Sequence, residues 1–289
     1  MKKRNYLLSL LILAFVFTAC QEGNKKASKK STTENRIVSL NGALSETVFA
    51  LGNEKELIAR DVTSTFPNYV RDSVTDLGHV RSIGIESILS EKPDMILALE
   101  GDLSEDLKGG LKNTNIKTHY FKQEYSVDGA KKLIKEVADV IGSEDTKPLE
   151  EKIDADLKEV EAFEKTPKVL FIYARGAGTL MVAGAETPMQ GIMELAGAEN
   201  AAEGIDGFKP LTEEALLKAN PDAVLLFDSG LESVGGKKGL LKTVPALTQT
   251  HAGKNEAILT MDGGLLSEFG PRVGEAAKTL NQLLAPYAK

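Results

Sequence analysis

The segment ESILSEKPDMILAL at 86–99 recurs as EALLKANPDAVLLF at 214–227, a shift of 128 residues that aligns Glu86 with Glu214, Leu89 with Leu217, Pro93 with Pro221 and Asp94 with Asp222. Each copy reads as a short amphipathic helix, a Pro-Asp break and an unbroken apolar run of strand length. The proline stops the helix, because it lacks an amide donor and crowds the preceding turn. A continuous apolar run suits a strand covered on both faces, as in a parallel sheet. Two such units so far apart imply two related lobes.

The chain between and around the copies fits that frame. From Arg36 onward, β-like runs (RIVSL, ELIAR, DMILAL) alternate with helical stretches (SETVFALG, IESILSEK), an α/β pattern that predicts mostly parallel sheets. Between the copies, 126–142 and 146–163 both show helical spacing. The second is heavily charged and carries a sparse apolar stripe of Leu149, Ile153, Leu157 and Val160, which suits a span between lobes. The expected organisation is an N-terminal lobe at 36–141, a linker-helix region at 142–166 and a C-terminal lobe at 167–289.

The first residues belong to targeting. An uncharged apolar run at 5–19 follows Lys2, Lys3 and Arg4 and ends in FTAC. It is shorter than the roughly 20 residues a membrane span needs, so 1–19 reads as a signal peptide. Cys20, the only cysteine, is the expected lipidation site, and no disulfide supports the fold. Residues 20–35 lack large apolar side chains and read as a flexible spacer. Net charge is −7; loss of three cations with 1–19 gives −10, and removal of the spacer's four lysines and two glutamates leaves −12 from Arg36 onward. An acidic body of this kind excludes nucleic acid as a partner.

Catalytic signatures are missing. There is no GxxxxGK[ST] loop, HExxH, CxxC or GxSxG, and the three histidines, His79, His119 and His251, are far apart in sequence. The stretches ARGAGT and MDGGLL each follow a strand-like run, where glycines supply tight turns at the mouth of a cleft.

Several stretches taken together resemble the haem-binding members of the substrate-binding proteins that serve bacterial ABC importers. They are RIVSLNGALSETVFALG, DVTSTFP, LGHVRSIGIESILSEKPDMIL, VLFIYARGAGTLMVAGAETPMQGIMELAGAENA, GFKPLTEEALLKANPDAVLL and LLSEFGPRVGEA, in the family's order across most of 36–280. The resemblance implies two α/β lobes joined by a single long linker helix, the class III periplasmic-binding-protein arrangement, and a monomer that binds haem in the cleft and is not an enzyme. It implies an ABC permease and its ATPase as partners, and a lipid-anchored position outside the cytoplasmic membrane, in the periplasm or at the cell surface.

It also implies roles for individual residues. Where the haem subgroup commonly has GYxR, this chain has His79 and Arg81, and neutral imidazole is a competent iron ligand. Tyr173 is the candidate second axial ligand from the other lobe, with Arg175 beside it; Met181 is a weaker one. Phe208 and Phe269 are expected porphyrin walls, with Lys209 and Arg272 reaching propionates. Glu86 and Glu214 are the expected permease-docking acids, with Glu213 adjacent to the latter; each also suits the first turn of a helix. Two alternatives stay open: a ferric siderophore or corrinoid as cargo, and an exported metal-dependent hydrolase built on His79, His119 and acidic neighbours.

Overall fold

The computed structural model describes residues 35–176, 178 and 180–288. Cys20, the 1–19 segment and the spacer up to residue 34 lie outside them.

The N-terminal sheet contains β1 (Ile37–Ser39), β2 (Leu57–Arg60), β3 (Thr75–Asp76), β4 (Met95–Leu99) and β5 (Lys117–Phe121), all parallel, in the order β3-β2-β1-β4-β5. Both faces are covered, which is why β4 is apolar throughout. Leu97 and Leu99 enter the core on one face with Ile37 and Leu44, whereas Ile96 and Ala98 enter the core on the other with Val38 and Leu107. This is the alternation a pleated strand requires.

The C-terminal sheet contains β6 (Lys168–Ala174), β7 (Leu180–Ala183), β8 (Glu199–Asn200), β9 (Phe208–Pro210), β10 (Ala223–Phe227) and β11 (Ile258–Met261). Its order is β11-β10-β6-β7-β9, with β8 alongside the start of β6; β7 and β9 run antiparallel. The α/β class and the two sheets agree with the sequence reading.

The 128-residue shift survives in three dimensions. β4 and β10 are its two apolar runs, preceded by the equivalent helices Ile85–Ser90 and Glu213–Ala219. The Pro-Asp pairs have a specific task. The Asp94 carboxylate accepts the Arg36 amide at 3.0 Å, and the Asp94 amide donates to the Arg36 carbonyl at 2.9 Å. Asp222 repeats this with Lys168 at 3.0 and 2.8 Å. Each pair therefore clamps the entry of its repeated strand to the central strand of the same sheet, β1 or β6.

The bridge between lobes differs from expectation. Gly142, in the left-handed region at φ 76°, ends the Val127–Ile141 helix, and a separate helix covers only Lys147–Leu157. Ile153 of the shorter helix, with Leu149 and Leu157, packs into the C-terminal core alone. The Val127–Ile141 helix serves both lobes: Leu133, Val137 and Ile141 enter the N-terminal core, and Ala130 and Ile134 the C-terminal one. It is apolar on two sides, so the bridging role falls to the helix that the sequence assigned to the N-terminal lobe.

Removing the Asp222 clamp by Asp222→Ala is expected to lower stability by about 1–3 kcal/mol, the range for a lost hydrogen bond to a charged group. Asp94→Ala should cost less, because Asp222 also holds His251 at 3.3 Å and Lys165 at 3.6 Å. Urea unfolding of the two variants checks the order.

Candidate functional site

The carboxyl ends of the parallel strands in both sheets converge on one seam, where open α/β sheets collect ligand-binding groups. After β1, Asn41 caps the Gly42–Ala50 helix, its side chain accepting the amides of Ala43 at 2.9 Å and Leu44 at 3.4 Å. The C-terminal lobe approaches this point closely: Glu268 accepts the Ala43 amide at 3.0 Å. A Cβ on Gly42 would lie 2.7 Å from the Glu268 carboxyl carbon and 3.0 Å from the Thr63 carbonyl oxygen. A side chain at position 42 would have to displace the Glu268 carboxyl group from the Ala43 amide.

Further contacts close the seam. Arg272 forms a bidentate pair with the buried Glu46 and stacks on Phe66, 3.8 Å from the ring centre. Gln123 donates to the Phe269 carbonyl at 3.4 Å, and the rings of Tyr125 and Phe269 meet edge-on with centres 5.3 Å apart. Beside these contacts lies a recess of about 410 Å³, lined by Asn41, Asp102, Gln123, Tyr125, Ser267 and Glu268.

His79 and Arg81 flank this recess from the end of β3. The chain reaches them through Gly78, whose φ of 89° favours glycine, and the Gly78 carbonyl accepts the Val62 amide. His79 is exposed and caps a short 3₁₀ turn, its Nδ1 accepting the Arg81 amide at 3.2 Å. In the neutral ring the proton therefore sits on Nε2. Both side chains act on Asp102: burial raises its carboxyl, and the Arg81 charge, an Asn41 hydrogen bond and His79 pull it back.

Aromatic side chains form the C-terminal wall. Tyr173, at the end of β6, lies edge-on to Phe208 and Phe227 with ring centres 6.3 and 6.2 Å away. Phe208 is 39% exposed, so the cluster leaves an apolar ring open to solvent. Arg175 and Lys209 are exposed beside it, and Met181 stands opposite Tyr173 on β7.

Two expected ligand contacts are corrected. Phe269 is fully buried and packs against Gly191 and Tyr125, so it is a core residue and not a cleft wall. Arg272 is committed to Glu46 with only 11% of its side chain exposed, so it locks the lobes together and is not held free for an anion. His119 lies within β5, where burial lowers its basicity, and His251 pairs with Asp222 at 3.3 Å. Among the described residues no three His, Cys, Asp or Glu side chains gather into a metal-holding group. Glu86 and Glu214 are exposed in the first turns of their helices.

Asp102, Tyr125, Phe227, Glu46 and Glu268 were not singled out by sequence. Asp102 and Phe227 lie at or just past the ends of the repeated strands, the position where such sites collect. Glu268 had one signal, an acid inside the apolar run LLSEFG. A larger recess, about 620 Å³ between the Glu213–Ala219 helix and residues 201–205, includes none of the residues gathered at the seam. The cleft is the better candidate, because polar, charged and aromatic side chains from both lobes line its recess.

Two lobes meeting through the carboxyl ends of their strands define a bilobal binding protein, and no helix among the described residues is long and apolar enough to cross a membrane. The chain belongs to the periplasmic binding protein family, whose model matches residues 37–264. It is similar to YvrC of Bacillus subtilis, an uncharacterised ABC transporter substrate-binding lipoprotein, at 26% identity over 99% of this chain and 98% of that protein. It is similar to the solved periplasmic haem-binding protein RhuT of Roseiflexus sp. RS-1 in apo form, at 32% identity and TM-score 0.84, covering 88% of this chain and 99% of that one. A third similarity is to the haem-binding protein HmuT, at 26% identity and TM-score 0.78 over 88% of this chain and 85% of that one. HmuT has also been solved with alanine in place of a histidine, a tyrosine, and an arginine two positions after that tyrosine.

Glu268 gives the seam a measurable pH dependence. Burial, reinforced by the charges of Glu46 and Asp61, pushes its carboxyl from 4.5 to about 8, despite the Ala43 hydrogen bond. Between those values the folded protein holds a proton that the unfolded chain has released. Its contribution to stability is therefore complete below about 4.5 and declines as pH rises to about 8. Glu268→Gln keeps an acceptor for the Ala43 amide and removes the titration. The variant should lie within about 1 kcal/mol of the wild type near pH 5 and exceed its stability by on the order of 4 kcal/mol near pH 8, measured by urea unfolding at both values.

Proposed function

We propose that the chain is the haem-capturing component of an ABC importer, a lipid-anchored monomer without catalytic activity that takes haem into the cleft and delivers it to a permease–ATPase complex. The reading is supported by two groups of side chains, His79 and Arg81 beside Asp102 on one lobe and the partly exposed Tyr173–Phe208–Phe227 cluster on the other. A planar aromatic cargo with a central cation suits an apolar wall facing a nitrogen or oxygen ligand. The family membership, and the haem-binding proteins among its solved relatives, support the same cargo. The Tyr-x-Arg spacing replaced in HmuT is also the spacing of Tyr173 and Arg175.

His79 ligates the iron through Nε2 and Tyr173 supplies the opposing ligand, with Arg175 stabilising a phenolate. Ligation transfers the imidazole proton to Nδ1, so the bond from the Arg81 amide is given up as haem enters. Arg81 and Lys209 are free to meet propionates, and Asp102 tempers the positive charge beside them. Glu86 and Glu214 dock against cations of the permease, one on each lobe. Cys20 carries the lipid that keeps the protein at the outer face of the membrane.

His79→Ala is expected to shift the Soret band of the haemin complex and to weaken haemin binding by at least about tenfold, the lower range for disturbing a metal site. Titration of wild type, His79→Ala and Tyr173→Phe followed by absorption spectroscopy decides it; a band and affinity unchanged in His79→Ala remove His79 from the site. Cys20→Ser is expected to yield an unlipidated protein with unchanged haemin affinity, read by fractionation and the same titration.

A further inference from the structure

The two copies of the repeat match in their surfaces as well as in their fold. Ile88 and Leu216, equivalent under the 128-residue shift, are both fully buried, while the residues that follow, Leu89 and Leu217, are 40% and 41% exposed. Lys92 and Asn220, also equivalent, both leave their helices in the left-handed region, at φ 51° and 39°. Among the described residues the large apolar side chains standing exposed include only these two leucines; the others are aromatic or β-branched and belong to different elements. Three positions before each leucine is an exposed glutamate, Glu86 or Glu214. On a helix that spacing puts acid and apolar group on one face.

A single exposed leucine is ordinary. The same Glu-x-x-Leu face, equally exposed at equivalent positions of two lobes, calls for a partner with two equivalent receptors. We infer that Leu89 and Leu217 are the apolar half of a two-point docking surface whose acidic half is Glu86 and Glu214, and that the partner is a membrane-embedded permease with two matching recesses, each placing a cation beside an apolar pocket. This rests on the reading of the chain as an importer's binding protein. The glutamates steer the approach through long-range attraction, which salt screens. The leucines hold the complex once water has left the contact, a force that salt does not screen. Glu213 adds acid beside the second point, and the body carries −12 from Arg36 onward, so an anionic lipid surface would repel this face.

The test uses the full lipoprotein and its permease–ATPase complex in lipid nanodiscs, with the half-saturating protein concentration for ATPase stimulation read at low and high salt. Wild type should weaken with salt to a plateau. The double variant Leu89→Ser with Leu217→Ser should raise the half-saturating concentration by at least about tenfold at low salt, the lower bound for losing two partly exposed apolar side chains from a contact, and should lose the plateau. Leu89→Met with Leu217→Met should restore it, and haemin titration should be unchanged in all. Docking of the serine double variant with wild-type values at both salts overturns the inference. The pair Glu86→Gln with Glu214→Gln separates the levels: if it alone impairs docking, the importer reading stands and the leucine assignment falls, whereas wild-type docking by both double variants removes the docking reading itself. Leucine-dependent binding to phosphatidylglycerol vesicles without permease would assign the face to lipid and overturn the protein partner.

Discussion

The structure depends on one buried carboxyl group. Glu268 reaches across from the C-terminal lobe to the start of the Gly42–Ala50 helix and accepts the Ala43 amide. The first amides of a helix have no partner within it and favour negative charge. That attraction competes with the cost of drying a carboxylate, and with Glu46 and Asp61 nearby, so the group retains its proton into the neutral range. Glycine at residue 42 leaves room for that carboxyl group. Here backbone geometry, capping and protonation form a single constraint, and the cleft walls are held in register by it.

Around this point the charges are sorted by role. The Arg272–Glu46 pair is enclosed, and breaking it would leave an unpaired buried charge, the costly outcome for such pairs. His79, Arg81, Arg175 and Lys209 stay exposed along the cleft, where each can exchange water for a ligand. One set of cations fixes the lobes and another faces the opening.

The repeat was legible because it couples two signals that sequence carries well: a proline that stops a helix and a run of apolar residues that fills a strand. The aspartate following each proline turned out to be a strand clamp, a role visible only when Arg36 and Lys168 are brought alongside. The bridging helix was misjudged for a related reason. A charged sequence with a thin apolar stripe looks like a span, but the Lys147–Leu157 helix lies on one lobe only, whereas Val127–Ile141 carries two apolar sides whose separate destinations have no one-dimensional signature. His79, Arg81 and Tyr173 were picked out by short motifs at strand ends, and their part in binding haem belongs to the proposed function. Phe269 and Arg272 were assigned to the ligand because their motif lies beside the cleft; solvent access depends on the opposite lobe, and Tyr125 and Glu46 come from distant parts of the chain.

The shared helix also bears on how the protein comes apart. Leu133 and Val137 complete one core and Ala130 and Ile134 the other, so neither lobe can lose its packing without stripping cover from its neighbour. The lobes are thus a single cooperative unit, with one melting transition in place of two. A nascent chain has to present residues from both halves before either core is complete.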